Sequence, residues 1–344
     1  METLLGIDYP TWWFLIVGAL FSGYAVLDGF DLGAGALHLF FRKEESRRIA
    51  INAIGPVWDG NEVWLVIGGG ALFAGFPVVY ASAFSAFYIP FMLFLVFLIF
   101  RAISIEFRSK EPMRWWRRLW DINYSVSSTL LALALGLVLG NVVQGIALDE
   151  RYVFVGSWLD FLNPYALLIS VTTLALFMMH GAIYLVMKTE DRLYAKLTII
   201  VKNTTIFFVV MFVITTLATL LYQDHLILSI REEPYLFAVP VVVVLVVANI
   251  TRTVSKKHYV LAFVSSSLTI CLLFVLVAIG LYPVLLPSTL APANDITIYK
   301  AASSTRSLQN MLIIVAIGFP LVVSYTGFVF YTFRGKVKID DHSY

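Results

Sequence analysis

Apolar blocks near or above 20 residues recur along this chain, and they constrain its fold more than any other feature. About 20 apolar residues in helical form are needed to cross roughly 30 Å of hydrocarbon. Segments such as LVFLIF and VPVVVVLVVANI are apolar at successive positions, which argues against the alternating strands of a barrel. An open sheet would leave its edge groups unsatisfied in lipid. Composition agrees, since 60% of the 344 residues are hydrophobic and 13% charged, against about 45–50% and 25% in soluble domains. The expected fold class is therefore an all-α, polytopic integral membrane protein. Nine transmembrane helices are predicted over 12–39, 49–73, 77–104, 121–147, 162–187, 201–222, 234–251, 259–282 and 309–333. Segment seven is short and rich in Val.

The loop charges test this segmentation independently. Of the 24 Lys and Arg, 19 fall in connections one, three, five and seven and in the tail; only Arg151, Arg231, Lys300 and Arg306 lie on the other side, and Arg101 stays within the third helix. The positive-inside rule then gives an outside N-terminus and a cytoplasmic C-terminus. The longest outside connections are 148–161, 223–233 and 283–308, the last polar and long enough to form a cap or partner surface. The N-terminus has Glu2 and Asp8 but no basic n-region, so the first apolar block is expected to remain in the mature protein. Pro10 suits a first helical turn, and Trp12 and Trp13 an interfacial belt. Net charge is +2 with scattered cations, so no nucleic-acid role is expected. The one cysteine, Cys271, permits neither an internal disulfide nor a thiolate cluster.

Polar residues inside the apolar blocks are the functional candidates, because lipid makes them costly. Asp28 and Asp31 in LDGFDLGAG are three apart and share a helix face, with His38 two turns beyond Asp31. Gly29, Gly33 and Gly35 beside them permit close helix approach. In INAIGPVWDGNEVWLVIGGG, Asp59 and Glu62 repeat the three-residue spacing, Trp58 and Trp64 flank them, Asn52 lies two turns earlier and Pro56 can kink the helix. Structural pairing and proton handling both fit these acids. Arg101, Glu106 and Asp121 lie toward the inner ends of helices three and four, where Arg101 either neutralises Asp28, Asp31 or a partner's carboxylate, or snorkels. Asn141 and Gln144 fit interhelical hydrogen bonding. His180 fits either a metal or a hydrogen bond to a neighbouring helix, and no second membrane-central histidine supports a two-histidine haem site. His38, His225, His258 and His342 lie at ends, in connections or in the tail. Gly68, Gly69 and Gly70 are expected to pack helices. No Walker sequence, HExxH pattern or nucleophile elbow is present.

Taken together and in order, GFDLGAG, GPVWDGNEVWL, GGGALFAGFPVVYASAFSAFY, FLNPYALL, HGAIYLVMKTE and YKAASSTRSLQNML span nearly the whole chain. The set resembles subunit II of the cytochrome bd quinol oxidases. The resemblance implies two four-helix bundles, 12–147 and 162–282, an external loop 283–308, a final peripheral helix 309–333 and a cytoplasmic tail 334–344. It also implies a haem-free, non-catalytic chain, with two haems b and haem d in a homologous-fold subunit I. That complex oxidises quinol and reduces O₂ to water in a bacterial or archaeal cell membrane, building proton-motive force. By resemblance Asp59 lies on the proton-access route at the subunit interface, its environment set by Trp58, Asn61 and Glu62. Asp28, Asp31, Arg101 and Asp121 become candidates for supporting that route or the interface. Glu62 departs from family versions that carry Gln there; it adds a second relay carboxylate or tunes Asp59. A bound quinone, membrane lipids and a small single-helix accessory subunit complete the implied partners, and no metal is expected in the chain. A proton-coupled transporter and a purely structural membrane anchor are the competing classes.

Overall fold

The computed structural model describes residues 2–338. Residues 339–344 of the expected tail, His342 among them, lie outside the described residues. After the short antiparallel pair β1 (Thr3–Leu4) and β2 (Ile7–Asp8) come α1 (Tyr9–Leu37), α2 (Glu44–Ile54), α3 (Trp58–Gly75), α4 (Pro77–Ala86), α5 (Tyr88–Phe107) and α6 (Arg114–Gln144). The remainder comprises α7 (Pro164–Lys188), α8 (Asp191–Tyr222), α9 (Asp224–Glu232), α10 (Ala238–Ser255), α11 (Tyr259–Leu281), β3 (Val284–Leu286), β4 (Ile296–Thr297), α12 (Ile298–Ala301) and α13 (Thr305–Thr332). Among the described residues, eight helices are long and apolar enough to span a membrane: α1, α5, α6, α7, α8, α10, α11 and α13. This is a polytopic, all-helical membrane protein.

The second and third expected spans are each broken, and proline explains both breaks. Helix α2 stops at Ile54 and α3 starts at Trp58; Pro56 between them lacks the N–H that a continuous helix would bond to Asn52. Phe87 separates α4 from α5, because Pro90 three residues later has no N–H for the Ala86 carbonyl and crowds it. The acids of α3 dilute its hydropathy, so it is not among the eight. Helices α6 and α8 begin earlier than expected, at Arg114 and Asp191, and the expected loop 223–233 is largely α9.

Close backbone approach organises the interior. A Cβ at Gly181 of α7 would lie 2.5 Å from the Ala34 nitrogen of α1. One at Gly33 would fall on the Phe177 carbonyl, and one at Gly29 would meet the Phe177 ring at 2.8 Å. Gly136 and Gly140 of α6 would meet the Ser170 and Ala166 Cα atoms of α7, each at 2.6 Å. Only glycine admits such crossings, so α1, α6 and α7 form a tightly packed centre. The expectation for Gly68–Gly70 holds only for Gly68, which faces the Phe21 ring at 3.2 Å; Cβ atoms at Gly69 and Gly70 would meet nothing within 4 Å. Both point away from the rest of this chain.

Same-side connections gather as the charge pattern requires. At the cation-rich end Arg108 and Arg117 reach Glu44, Lys196 Nζ donates to the Phe40 carbonyl, and Lys336 Nζ to that of Thr189. At the cation-poor end the connections 145–163 and 282–304 fold into one cap. There Ile146 N donates to Pro287 O (3.1 Å), Asn294 Nδ2 to Leu148 O (2.9 Å) and Ser303 N to Gly75 O (2.9 Å). Asn141 donates through Nδ2 to Phe161 O (2.9 Å) and accepts at Oδ1 from Asn163 Nδ2 (2.9 Å), so it anchors the cap more than it glues helices. Trp13 Nε1 donates to Leu308 O at 3.1 Å, the one buried residue among those described in α13.

Because the α1–α7 crossing has no room for a side chain, Gly181→Leu is expected to destabilise by at least the ~1–3 kcal/mol of core overpacking and to abolish monodisperse protein. Gly69→Ala is expected to leave this chain's own packing unchanged. Size-exclusion profiles and melting temperatures in mild detergent separate the two.

Candidate functional site

Three helices bring their charged residues to one buried cluster. Asp28 and Asp31 project from α1, Asn61 and Glu62 from α3 and Arg101 from α5. Asp28, Asp31 and Arg101 are fully buried, whereas the Glu62 side chain is 17% exposed. Arg101 donates through one terminal nitrogen to Asp28 Oδ1 at 2.7 Å and through the other to Glu62 Oε1. A planar guanidinium spans two carboxylates in this way where a lysine would reach one. Asn61 Nδ2 donates to Asp31 Oδ2 at 2.7 Å and to the Leu27 carbonyl at 3.2 Å. Arg101 therefore does not snorkel; it takes Asp28 and Glu62, and Asp31 turns to Asn61. Asp28 Oδ2, Asp31 Oδ1, Arg101 Nε and the Tyr24 and Tyr124 hydroxyls are buried without a hydrogen-bond partner in this chain. One guanidinium among three carboxylates leaves surplus negative charge, which only protons, water or a neighbouring molecule can meet at this depth.

Asp121 belongs to a second, separate cluster. Its Oδ1 receives Arg108 Nε at 2.6 Å and lies 2.6 Å from His38 Nε2, while Oδ2 receives an Arg47 terminal nitrogen at 2.9 Å. Arg108 also donates to both Glu44 oxygens at 3.0 Å. This network ties the end of α1 to α2, α5 and α6. Arg47, Arg108 and Glu44 were not singled out from the sequence, because loop cations there report orientation and give no hint of burial. His38 was noted, yet its pairing with Asp121, 83 residues away, needs the fold.

Asp59 does not join the cluster. It stands exposed on α3, while Trp58 and Asn61 are buried. Asp59, Val63, Val66, Gly70 and Phe73 are all exposed and recur every three to four residues, so they form one uncovered face of α3. His180 hydrogen-bonds the Ser266 hydroxyl (2.7 Å) and the Val26 carbonyl (3.0 Å). With both ring nitrogens engaged, it links α7 to α11 and α1 and has no free nitrogen for a metal. Among the described residues, no group of three or more His, Cys, Asp or Glu is placed to hold a metal ion.

Comparison with known proteins extends this picture. The profile of the cytochrome bd terminal oxidase subunit II family matches residues 9–333. Cytochrome bd-I ubiquinol oxidase subunit 2 of Escherichia coli K12 is 32% identical, with 97% of each chain covered. Cytochrome bd ubiquinol oxidase subunit 2 of Bacillus subtilis 168 is also 32% identical, covering 95% of this chain and 96% of its own. In fold, a chain of the bd oxidase structure from Geobacillus thermodenitrificans superposes with a TM-score of 0.78 at 14% identity, covering 94% of this chain and 98% of its own. Eight apolar spans around a buried charge cluster define a polytopic helical membrane protein. The chain belongs to the cytochrome bd terminal oxidase subunit II family. It is thus a multi-pass cell-membrane subunit of an oxidoreductase complex, with a subunit I as its companion.

Breaking a buried pair leaves a lone charge, so Arg101→Leu is expected to cost about 3–5 kcal/mol and to lower yield and melting temperature of the purified complex. Asp28→Leu combined with Arg101→Leu is expected to recover part of that loss. Equal or additive losses would show that the two residues are not coupled. Asp121→Asn is expected to destabilise by a similar ~3 kcal/mol, because three cationic or imidazole donors lose their shared charge.

Proposed function

We propose that this chain is the haem-free second subunit of a quinol-oxidising, O₂-reducing cytochrome bd complex, supporting assembly and part of the proton-access route. The observation that carries the reading is the uncovered face of α3. Val63, Val66 and Phe73 would suit lipid, but Asp59 on the same face would not. A protein partner satisfies both, and Gly69 and Gly70, with open space beside them, let its backbone come close. The partner this face fits is subunit I. Helix α13, with little buried surface of its own, offers further area for it.

In this reading the haems of subunit I supply the electron transfer and oxygen chemistry. This chain's residues hold and position protons. Asp59 faces the partner; Glu62, one turn along the helix and partly exposed, joins that face to the buried cluster through Arg101. Asn61 fixes Asp31, and Trp58, next to Asp59 in the chain, is buried. Asp28, Asp31, Arg101 and Asp121 support the arrangement from within. Helix α3 also serves as the ninth span: it starts near the cation-rich end and finishes at Gly75, whose carbonyl binds the opposite cap. Nine spans with an outside N-terminus and a cytoplasmic C-terminus follow the charge alternation; the two bundles, 12–147 and 162–282, and a peripheral α13 are what the family resemblance implies. Quinol as electron donor is carried over from the relatives.

Mild-detergent copurification tests this reading, with an absorption spectrum and quinol-dependent oxygen consumption as readouts. The chain is expected to bring a haem-bearing companion with it. Asp59→Asn is expected to slow turnover by roughly 10²-fold or less, the lower end of general acid–base contributions, with the haem spectrum unchanged. Unaltered oxygen-linked proton uptake in Asp59→Asn and Glu62→Gln together would leave a structural anchor, and solute transport without a companion would make the chain a carrier.

A further inference from the structure

We propose that the cation-rich edge of this chain binds the headgroup of an anionic phospholipid. The site is a groove where the end of α1, the start of α2, the start of α6 and the first half of α8 meet. Two adjoining recesses form it, of about 790 Å³ and about 530 Å³, sharing Leu39 and Arg42.

Charge selects the ligand. The larger recess is lined by five arginines, Arg42, Arg47, Arg114, Arg117 and Arg118, against two carboxylates, Glu44 and Asp121. Both carboxylates are already spent: Glu44 on Arg108 and Arg117, and Asp121 on His38, Arg47 and Arg108. Arg42, Arg114 and Arg118 are exposed and form no ion pair among the described residues. Lys196 adds a fourth cation from the smaller recess, where its ammonium caps the Phe40 carbonyl. Within the groove, Arg117 Nε is buried with no partner. Planar guanidiniums grouped in this way match phosphate oxygens.

Apolar surface selects a lipid over a soluble anion. Leu39, Phe40 and Ile122 border the cations and are 41%, 58% and 42% exposed. Ile122 leads onto the exposed Val126 of α6, and Ile199 and Ile206 carry the exposed apolar surface along α8, where acyl chains would run. Trp115, Trp116 and Trp120 form an edge-to-face row beside the arginines, the usual sign of headgroup depth. Cations at that depth draw anionic lipid from its leaflet. The groove lies apart from the α3 face, so the proposal does not depend on the oxidase reading.

The test is native mass spectrometry of the purified complex after delipidation and titration with phosphatidylglycerol, with phosphatidylcholine as the neutral control. The wild type is expected to retain phosphatidylglycerol roughly tenfold better than phosphatidylcholine. The triple variant Arg42→Gln, Arg114→Gln, Arg118→Gln is expected to lose that preference, with its melting temperature in detergent unchanged. Arg42→Lys, Arg118→Lys, which keeps the charges, is expected to retain most of it. Equal retention of the two lipids, an unchanged preference in the triple variant, or full competition by millimolar glycerol phosphate, which carries the headgroup charge but no acyl chain, would overturn the proposal.

Discussion

Placing carboxylates in hydrocarbon is among the costliest things a chain can do, and the architecture here is arranged around meeting that cost. Arg101 comes from α5 to stand between Asp28 of α1 and Glu62 of α3. A guanidinium in that position fixes three helices at once, because each of its carboxylate partners is worth far more when paired than when left alone. Asn61 then secures Asp31 on the same side. The glycine crossings of α1 with α7 let the helices close behind this cluster without gaps. The cap at the cation-poor end and the Asp121 network at the other then fasten the two ends.

Buried charge serves two ends in this chain, and the distinction follows from how completely each group is satisfied. Both oxygens of Asp121 are engaged by cationic or imidazole donors, which suits a structural clasp joining helix ends. The Arg101 cluster keeps one free oxygen on Asp28 and one on Asp31, with two tyrosine hydroxyls buried and unpartnered. Incomplete pairing at such depth is costly for stability alone. Asp59 differs from both, since it stands exposed on the outer face of α3. The same division appears among the glycines: Gly33 and Gly181 serve this chain's own packing, and Gly69 and Gly70 face outward.

Much of this was legible beforehand, and particular residues show why. Asp28 and Asp31 were placed on one face by their spacing alone, and the packing role of Gly33 followed from its position beside them. Charge alternation grouped the connections correctly, because loop cations obey a rule that needs no tertiary contact. The breaks at Pro56 and Phe87 were less legible: apolar runs continue through both, and hydropathy does not register a missing N–H. By sequence Arg108 is one more loop cation, although the fold buries it. The sequence around His180 fits a metal and a helix partner equally, and its bonds to Ser266 and Val26 decide between them.

The sequence by itself determined the membrane-spanning helical class, most of the apolar spans and which polar residues were exceptional. These depend on the free energy of moving each segment between water and lipid, a sum over local composition. Tertiary structure alone decided who pairs with whom: that Arg101 joins Asp28 to Glu62, that Asp121 draws on Arg108, and that Asp59 turns outward from its neighbour Asn61. Those outcomes depend on the rotation and crossing of helices far apart in the chain. Steric fit at a few glycines sets that geometry, and composition carries no record of it.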